Sequence, residues 1–255
     1  MSESPLTPIA RHNRDAWDAQ SDEYQSRHGP QLEASGGDAW GVWQQSESEL
    51  NVLGDVEGKD VLELGCGAAQ WSIALHRRGA RTTGLDISER QLAHARRLME
   101  AASVEFPLVH ASAEAIPLAD SSFDIVFSDF GAMSFAEPRL AIPEVARVLR
   151  PGGLLAFLTS TPLLDLAWPL EDEEPGDRLV FDYWDLHEIR PPGEPVVFQL
   201  RYGEWIELFV RSGFVVESLM EMRPAADARS TYRSQSAREW ARRWPMEHIW
   251  RVRKR

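Results

Sequence analysis

An apolar run broken by one acid, Val61-Leu62-Glu63-Leu64, leads directly into Gly65-Cys66-Gly67-Ala68-Ala69-Gln70, and apolar residues recur at helical spacing from Gln70 to Arg78. A strand that turns through two glycines into a helix commits this stretch to a βα unit. Gly65 and Gly67 lack a Cβ, so they can take positive φ and let a ligand approach the backbone. The amide N–H groups opening the helix can then face an anionic group. Residues 81–85 read as a second strand, and Asp86 at its end lies where an acid accepts hydrogen bonds from ribose hydroxyls. The two strand ends together predict a pocket for an adenosine-bearing cofactor.

The usual dinucleotide fingerprint is incomplete. Its third glycine, which permits tight helix packing beside a pyrophosphate, is replaced by Gln70, and an extra acid, Glu63, stands two residues before the first glycine. An acid there repels a pyrophosphate and tolerates a cation, which disfavours an NAD-dependent oxidoreductase.

Strands near 60–64, 81–85, 104–109, 123–128 and 153–159 alternate with helices near 70–79, 89–101 and 138–149, the last expected to kink at Pro143. This alternation predicts an α/β, doubly wound, mostly parallel sheet. A helix near 203–211, a strand near 214–221 and a terminal strand at 249–253 would complete it. Ahead of the core, residues 12–29 read as a helix carrying Trp17 and Tyr24, Gly36-Gly37 opens a loop, and residues 42–53 read as helical. We expect one domain over 1–255: a helical lid at 1–55, a cofactor-binding core at 56–160, a substrate-cap insertion at 160–202 and the C-terminal part of the sheet at 203–255.

The net charge of −13 argues against broad binding to a nucleic-acid backbone. Charge is uneven, with an acidic loop at 171–177 and an arginine-rich stretch at 229–255 that also holds Trp240, Trp244 and Trp250. Basic residues interleaved with aromatics occur on RNA surfaces. Here Ser236 and Glu239 have capping-box spacing at the start of a short helix, and 249–253 alternates as a strand, so the arginines are expected to be solvated. No segment approaches the roughly 18 uninterrupted apolar residues of a membrane span, and the first residues lack a signal-peptide pattern, so a cytoplasmic protein is expected. The single cysteine, Cys66, reads as a small packing residue in the turn.

From Glu63-Leu64-Gly65-Cys66-Gly67 onward the chain resembles the class I S-adenosylmethionine-dependent methyltransferases, whose first motif is acid-x-Gly-x-Gly. The likeness continues through His110-Ala111-Ser112-Ala113-Glu114-Ala115-Ile116-Pro117-Leu118, Ser122-Phe123-Asp124-Ile125-Val126-Phe127-Ser128 and Arg147-Val148-Leu149-Arg150-Pro151-Gly152-Gly153. It implies a Rossmann-like, seven-stranded sheet with an antiparallel last strand, S-adenosylmethionine as cofactor, S-adenosylhomocysteine as product and no metal. It also implies cofactor contacts from Tyr24, Glu63, Gly65, Cys66, Gly67, Gln70, Asp86, Ile87, Gln91, Ser112, Ala113, Glu114 and Ser128. Ser112 stands where the family often has Asp, so adenine would meet a hydroxyl and the Ala113 and Glu114 backbone, with the Glu114 side chain on cofactor or in solvent.

Acceptor choice should reside outside the alternation, in the amino-terminal helix and in residues 160–202, which hold Trp168, Phe181, Tyr183, Trp184 and His187. Such an insertion at strand ends can cover a site and exclude water. Asp129, just after the fourth strand, and His187 are the candidate bases. The resemblance thus implies methyl transfer to a small-molecule acceptor, with oxygen slightly preferred. A non-catalytic cofactor-binding module, or an RNA methyltransferase using Arg242, Arg243 and Arg251, is the alternative.

Overall fold

The computed structural model describes residues 6–169 and 174–255. Seven strands form one sheet: β1 (Asp60–Leu64), β2 (Arg81–Asp86), β3 (Leu108–His110), β4 (Phe123–Asp129), β5 (Leu149–Ser160), β6 (Phe214–Glu221) and β7 (Glu247–Lys254). Their order across the sheet is β6-β7-β5-β4-β1-β2-β3. The pairs among β1 to β5 are parallel, and β7 runs antiparallel to both β5 and β6. The expected doubly wound sheet with an antiparallel last strand is therefore present. Because β2 and β4 flank β1 on opposite sides, the chain reverses its winding at β1. A crevice opens there, beyond the carboxyl ends of the strands.

Successive side chains of a strand point to opposite faces, and both faces of this sheet are covered. Leu62, Leu64, Val126, Leu155 and Phe157 pack on one side with Ile142, Val145, Trp205 and Phe209. Those four come from helices α4 (Pro138–Val148) and α5 (Tyr202–Arg211). Val61, Ile125, Phe127, Ala156 and Leu158 pack on the other with Trp40, Trp71 and Leu75. Trp71 and Leu75 lie on helix α2 (Gln70–Arg77), and helix α3 (Glu89–Ala102) follows β2.

The amino-terminal helix α1 is longer than expected, Pro8–Ala34 rather than 12–29, and Thr7 caps it by accepting from the Ala10 amide at 3.1 Å. The structure corrects the helix expected over 42–53. Gly41 and Gln44 take positive φ of 72° and 53° in a turn between Ala39–Trp40 and Gln45–Ser46, which pair as a short ladder. Only one helical turn, Glu47–Leu50, remains. Glu47 explains why: its buried carboxylate accepts from Trp40 Nε1 at 2.7 Å, Val52 N at 3.1 Å and Leu53 N at 2.8 Å, closing the segment on itself. The third strand is also shorter than expected, because Ser103 ends α3 in a left-handed conformation and pairing begins only at Leu108. Helix α4 continues through Pro143.

In the insertion, Pro162–Ala167 is helical and Glu188–Ile189 pairs with Val197–Phe198, while the acidic residues Glu171, Asp172 and Glu173 lie outside the described residues. Helix α6 (Gln235–Ala241) is capped by Ser234, which accepts from the Ala237 amide, and not by Ser236. No helix among the described residues is long and apolar enough to cross a membrane.

Replacing Glu47 by Ala leaves three buried donors without an acceptor, each costing about 1–3 kcal/mol. We expect the Glu47→Ala protein to lose about 3 kcal/mol in urea unfolding; an unchanged midpoint would mean that water or another acceptor replaces the carboxylate.

Candidate active site

The ends of β1 and β4 approach so closely that only glycine fits. A Cβ on Gly65 (φ 72°) would stand 2.1 Å from the Ala132 amide nitrogen, and one on Gly131 would stand 2.5 Å from the Leu64 carbonyl oxygen. Ser128 reinforces this crossing. Its buried hydroxyl donates to the Leu64 carbonyl at 2.8 Å, which makes it a pin between strands; it does not line the cavity in which it was expected to meet a cofactor.

Beyond the crossing lies a cavity of about 280 Å³. The glycine turn and the β2 end contribute Glu63, Gly65, Cys66, Gly67, Gln70, Asp86 and Ile87; the neighbouring helices and loop add Tyr24, Gln91, Ser112, Ala113 and Glu114. Asp86 accepts from Gly67 N and Ser88 N, each at 2.8 Å, so its carboxylate is fixed at the strand end. Glu63 accepts from the Ser72 amide at 3.0 Å and the Ser72 hydroxyl at 2.5 Å. Gln25 from α1 joins Gln91 at 2.8 Å to Gln70 at 3.2 Å, closing the lid onto the turn.

Two expected roles are revised on this side. The Ser112 hydroxyl accepts from the Glu114 amide at 3.1 Å, shaping the loop. The half-buried Glu114 carboxylate accepts from Thr7 Oγ1 at 2.8 Å and Glu137 N at 3.0 Å, tying the start of α1 to that of α4. Arg147 and Glu144 hold the same loop from below through the Ile116 carbonyl and amide.

A second cavity, of about 680 Å³, adjoins the first, and both are bordered by Trp17, Tyr24, Phe130, Phe135, Tyr232 and Arg233. The hydroxyls of Tyr24 and Tyr232 meet at 3.0 Å. Trp168 and Ile189 from the insertion line the larger cavity, as do His28, Asp165 and Glu247. Trp184 does not cover it, being 72% exposed. His187, a candidate base, is not brought to either cavity: its Nε2 lies 2.8 Å from Glu137 Oε2 on the outer side of the insertion. Asp129 is brought there. It accepts from Gly41 N at 3.0 Å and Trp71 Nε1 at 3.2 Å and borders the smaller cavity.

The carboxyls around this junction are hard to ionise. Burial pushes Asp86 up to about 6 and Asp129 up to about 7. Glu63 and Glu247 are pushed up to about 8, by burial first and then by the neighbouring Asp129 charge. His28 is driven down to about 4 by burial and by the Arg27 and Arg233 charges, so its imidazole is neutral at pH 7. The smaller cavity, bordered by Glu63, Asp86 and Asp129, suits a ligand with positive charge.

Residues 62–157 match a family model described as a methyltransferase domain. A malonyl-[acyl-carrier protein] O-methyltransferase of Enterobacter lignolyticus is 41% identical over 119 residues, covering 45% of this chain and 46% of that protein. A demethylmenaquinone methyltransferase of Staphylococcus epidermidis is 38% identical over 131 residues, 49% of this chain and 52% of that protein. The match thus spans about half the length of these curated relatives. The crystal structure of an S-adenosylmethionine dependent methyltransferase from Mesorhizobium loti superposes with a TM-score of 0.64 at 26% identity, covering 81% of this chain and 96% of that one.

The chain is thus similar to S-adenosylmethionine-dependent methyltransferases over most of its length, and residues 62–157 match the methyltransferase domain. The glycine turn and Asp86 were legible from sequence, whereas Gln25, Trp71, Gly131, Tyr232 and Arg233 were not. Gly131 carried a local signal, as a glycine just past a strand end, and Trp71 follows the glycine turn directly; Gln25, Tyr232 and Arg233 come from distant segments. Arg242, Arg243 and Arg251 line neither cavity. Among the described residues, no three His, Cys, Asp or Glu side chains group as metal ligands.

The raised carboxyls set a pH dependence for the ligand-free protein. A folded pKa above the unfolded one means stability that is present at low pH and is lost as pH rises through the folded value. Neutral His28 works oppositely, losing stability below about 6.5. We therefore expect the thermal midpoint without ligand to fall from pH 6.5 to pH 8.5; a midpoint constant over that window would show that Glu63, Asp129 and Glu247 ionise without penalty.

Proposed function

We propose that this protein transfers a methyl group from S-adenosylmethionine to a small, partly apolar acceptor, with oxygen the favoured atom. The observation that carries the reading is that the two cavities adjoin, sharing Tyr24, Phe130 and Tyr232 as a common wall. The smaller cavity offers Gly65 and Gly67 at positive φ for close backbone approach, Asp86 for ribose hydroxyls and the Glu63 carboxyl for the cationic methionine end. S-adenosylmethionine bound there supplies an electrophilic methyl on a sulfonium, and S-adenosylhomocysteine is the product. The larger cavity is open space for an acceptor, which supports catalysis over a binding module whose acceptor side is plugged.

The chain's own contribution is alignment, exclusion of water and removal of a proton. The α1 lid excludes water, anchored where Asp18 accepts from the Ser88 hydroxyl at 2.6 Å. Asp129, pushed up to about 7, is in part ionised at neutral pH and can accept the proton of an acceptor hydroxyl. Its two protein donors keep the carboxylate aimed at the junction while that happens. We read residues 1–255 as one functional unit, with α1 closing the cofactor side and residues 160–202 bordering the acceptor side.

Calorimetry with S-adenosylmethionine, S-adenosylhomocysteine and NAD tests the cofactor: the first two should bind, and tight NAD binding without them would overturn the proposal. Asp86→Ala should weaken S-adenosylhomocysteine by about 1.5–3 kcal/mol, the cost of losing a charged acceptor. Asp129→Asn should lower turnover strongly on an acceptor found by screening hydroxylated metabolites, while leaving S-adenosylhomocysteine affinity nearly unchanged. Near-normal turnover would remove Asp129 as the base.

A further inference from the structure

Two arginines, Arg27 and Arg233, border the acceptor cavity beside its aromatics and acids, and Arg233 is the one that also reaches the smaller cavity. Its Nη1 donates to the Tyr232 carbonyl at 3.1 Å and its Cζ lies 4.6 Å from the Trp168 ring centroid. Its Nε is sealed from solvent without a hydrogen-bond partner. Nη2 has no protein partner among the described residues, and no carboxylate among them comes within 4.0 Å of the group. Burial pulls the Arg233 pKa down, so the protein holds this cation at a cost.

An arginine kept in this state is informative because guanidinium groups do not lose their proton in proteins, and a buried cation is ordinarily paired. The charges of Asp165 and Glu247 act on it from a distance, but neither carboxyl bonds to it. Asp165 is held by Gln199 Nε2 at 2.7 Å and the Ser160 hydroxyl at 3.0 Å, and Glu247 accepts from Val42 N at 2.8 Å. Burial pushes Glu247 up to about 8 and Asp165 up to about 6, so at neutral pH Glu247 is largely uncharged while Asp165 keeps its charge among its own donors.

We propose that Arg233 is a specificity-determining residue that receives a carboxylate of the acceptor. The proposal rests on the methyltransferase reading above and adds the chemical class of the acceptor: an apolar or aromatic body bearing a carboxylate. The Nη1 and Nη2 ends of a guanidinium present parallel N–H donors that match the two oxygens of a carboxylate, which a phenol or an amide cannot match equally well. Trp168 stacked on the guanidinium fixes the plane of that fork. His28, neutral and stacked on Tyr232 at 3.8 Å, supplies an adjoining flat apolar wall.

The test uses the whole chain loaded with S-adenosylhomocysteine and three probe pairs: benzoate and benzamide, 3-phenylpropionate and 3-phenylpropionamide, octanoate and octanamide. Calorimetry should show each acid that binds to be preferred over its amide by about 10- to 100-fold, the usual worth of a charge-assisted hydrogen bond. Arg233→Met should abolish the preference and Arg233→Lys should restore only part of it, while S-adenosylhomocysteine binds all three proteins alike. The absence of acid preference in every pair, including the binding of no probe, overturns the proposal. So does a loss confined to S-adenosylhomocysteine in Arg233→Met, which would assign the arginine to the cofactor's own carboxylate. Failure of the unaltered protein to bind S-adenosylhomocysteine would instead overturn the methyltransferase reading.

Discussion

The site depends on one backbone contact, the crossing of the chain after β1 over the chain after β4. At Gly65 and Gly131 any side chain would overlap backbone atoms of the other segment, so the approach exists only because both residues are glycine. The crossing brings two strand ends together at the winding reversal, and with them Glu63 and Asp129, the first on β1 and the second closing β4. Ser128 fastens it by donating to the Leu64 carbonyl. The remaining walls are laid against this fixed point: α1 through Gln25 to Gln70 and Gln91, and the 38–47 turn through Gly41 to Asp129.

Electrostatics follow from that geometry. Four acids gather around the junction and burial raises them all: at neutral pH Asp86 stays largely ionised, Asp129 is in part ionised, and Glu63 and Glu247 are largely neutral, so the walls carry less charge than their number suggests. A ligand with a sulfonium and an ammonium group would shift them toward ionisation, coupling binding to proton release. Arg233 is the counterweight on the acceptor side. The same low polarisability that discourages the acids leaves this cation in want of an anion.

Sequence made the nucleotide half of the site readable because its determinants are local. Gly65, Gly67 and Asp86 act through turn conformation and strand-end position, both encoded within a few residues. Ser128 was implied as a cofactor contact by the resemblance, but its hydroxyl donates to the Leu64 carbonyl at the crossing. His187 failed because its surroundings are set by tertiary packing: Glu137 at the start of α4 holds it on the outer side of the insertion. The helix expected over 42–53 failed because Glu47 satisfies backbone amides from within its own loop, outweighing propensity. Tyr232 and Arg233 lie in an irregular stretch without periodicity, and nothing near them in sequence announces that they face Tyr24 across the cavity.

Phe130 joins these threads. It adopts φ 54° and ψ −61°, a conformation that costs a non-glycine residue on the order of 1–3 kcal/mol. Its amide donates to the Leu158 carbonyl at 3.0 Å and its carbonyl accepts from the Ser134 amide at 3.0 Å, so both backbone groups are satisfied in that geometry. A glycine here would relieve the strain and remove the ring that borders both cavities. The adjacent crossing leaves little room for another path, since Gly131 must lie against Leu64 and Asp129 must stay on β4. The strain therefore has a structural origin in the glycine contact and a positional consequence: it fixes an aromatic wall at the point where donor and acceptor would meet.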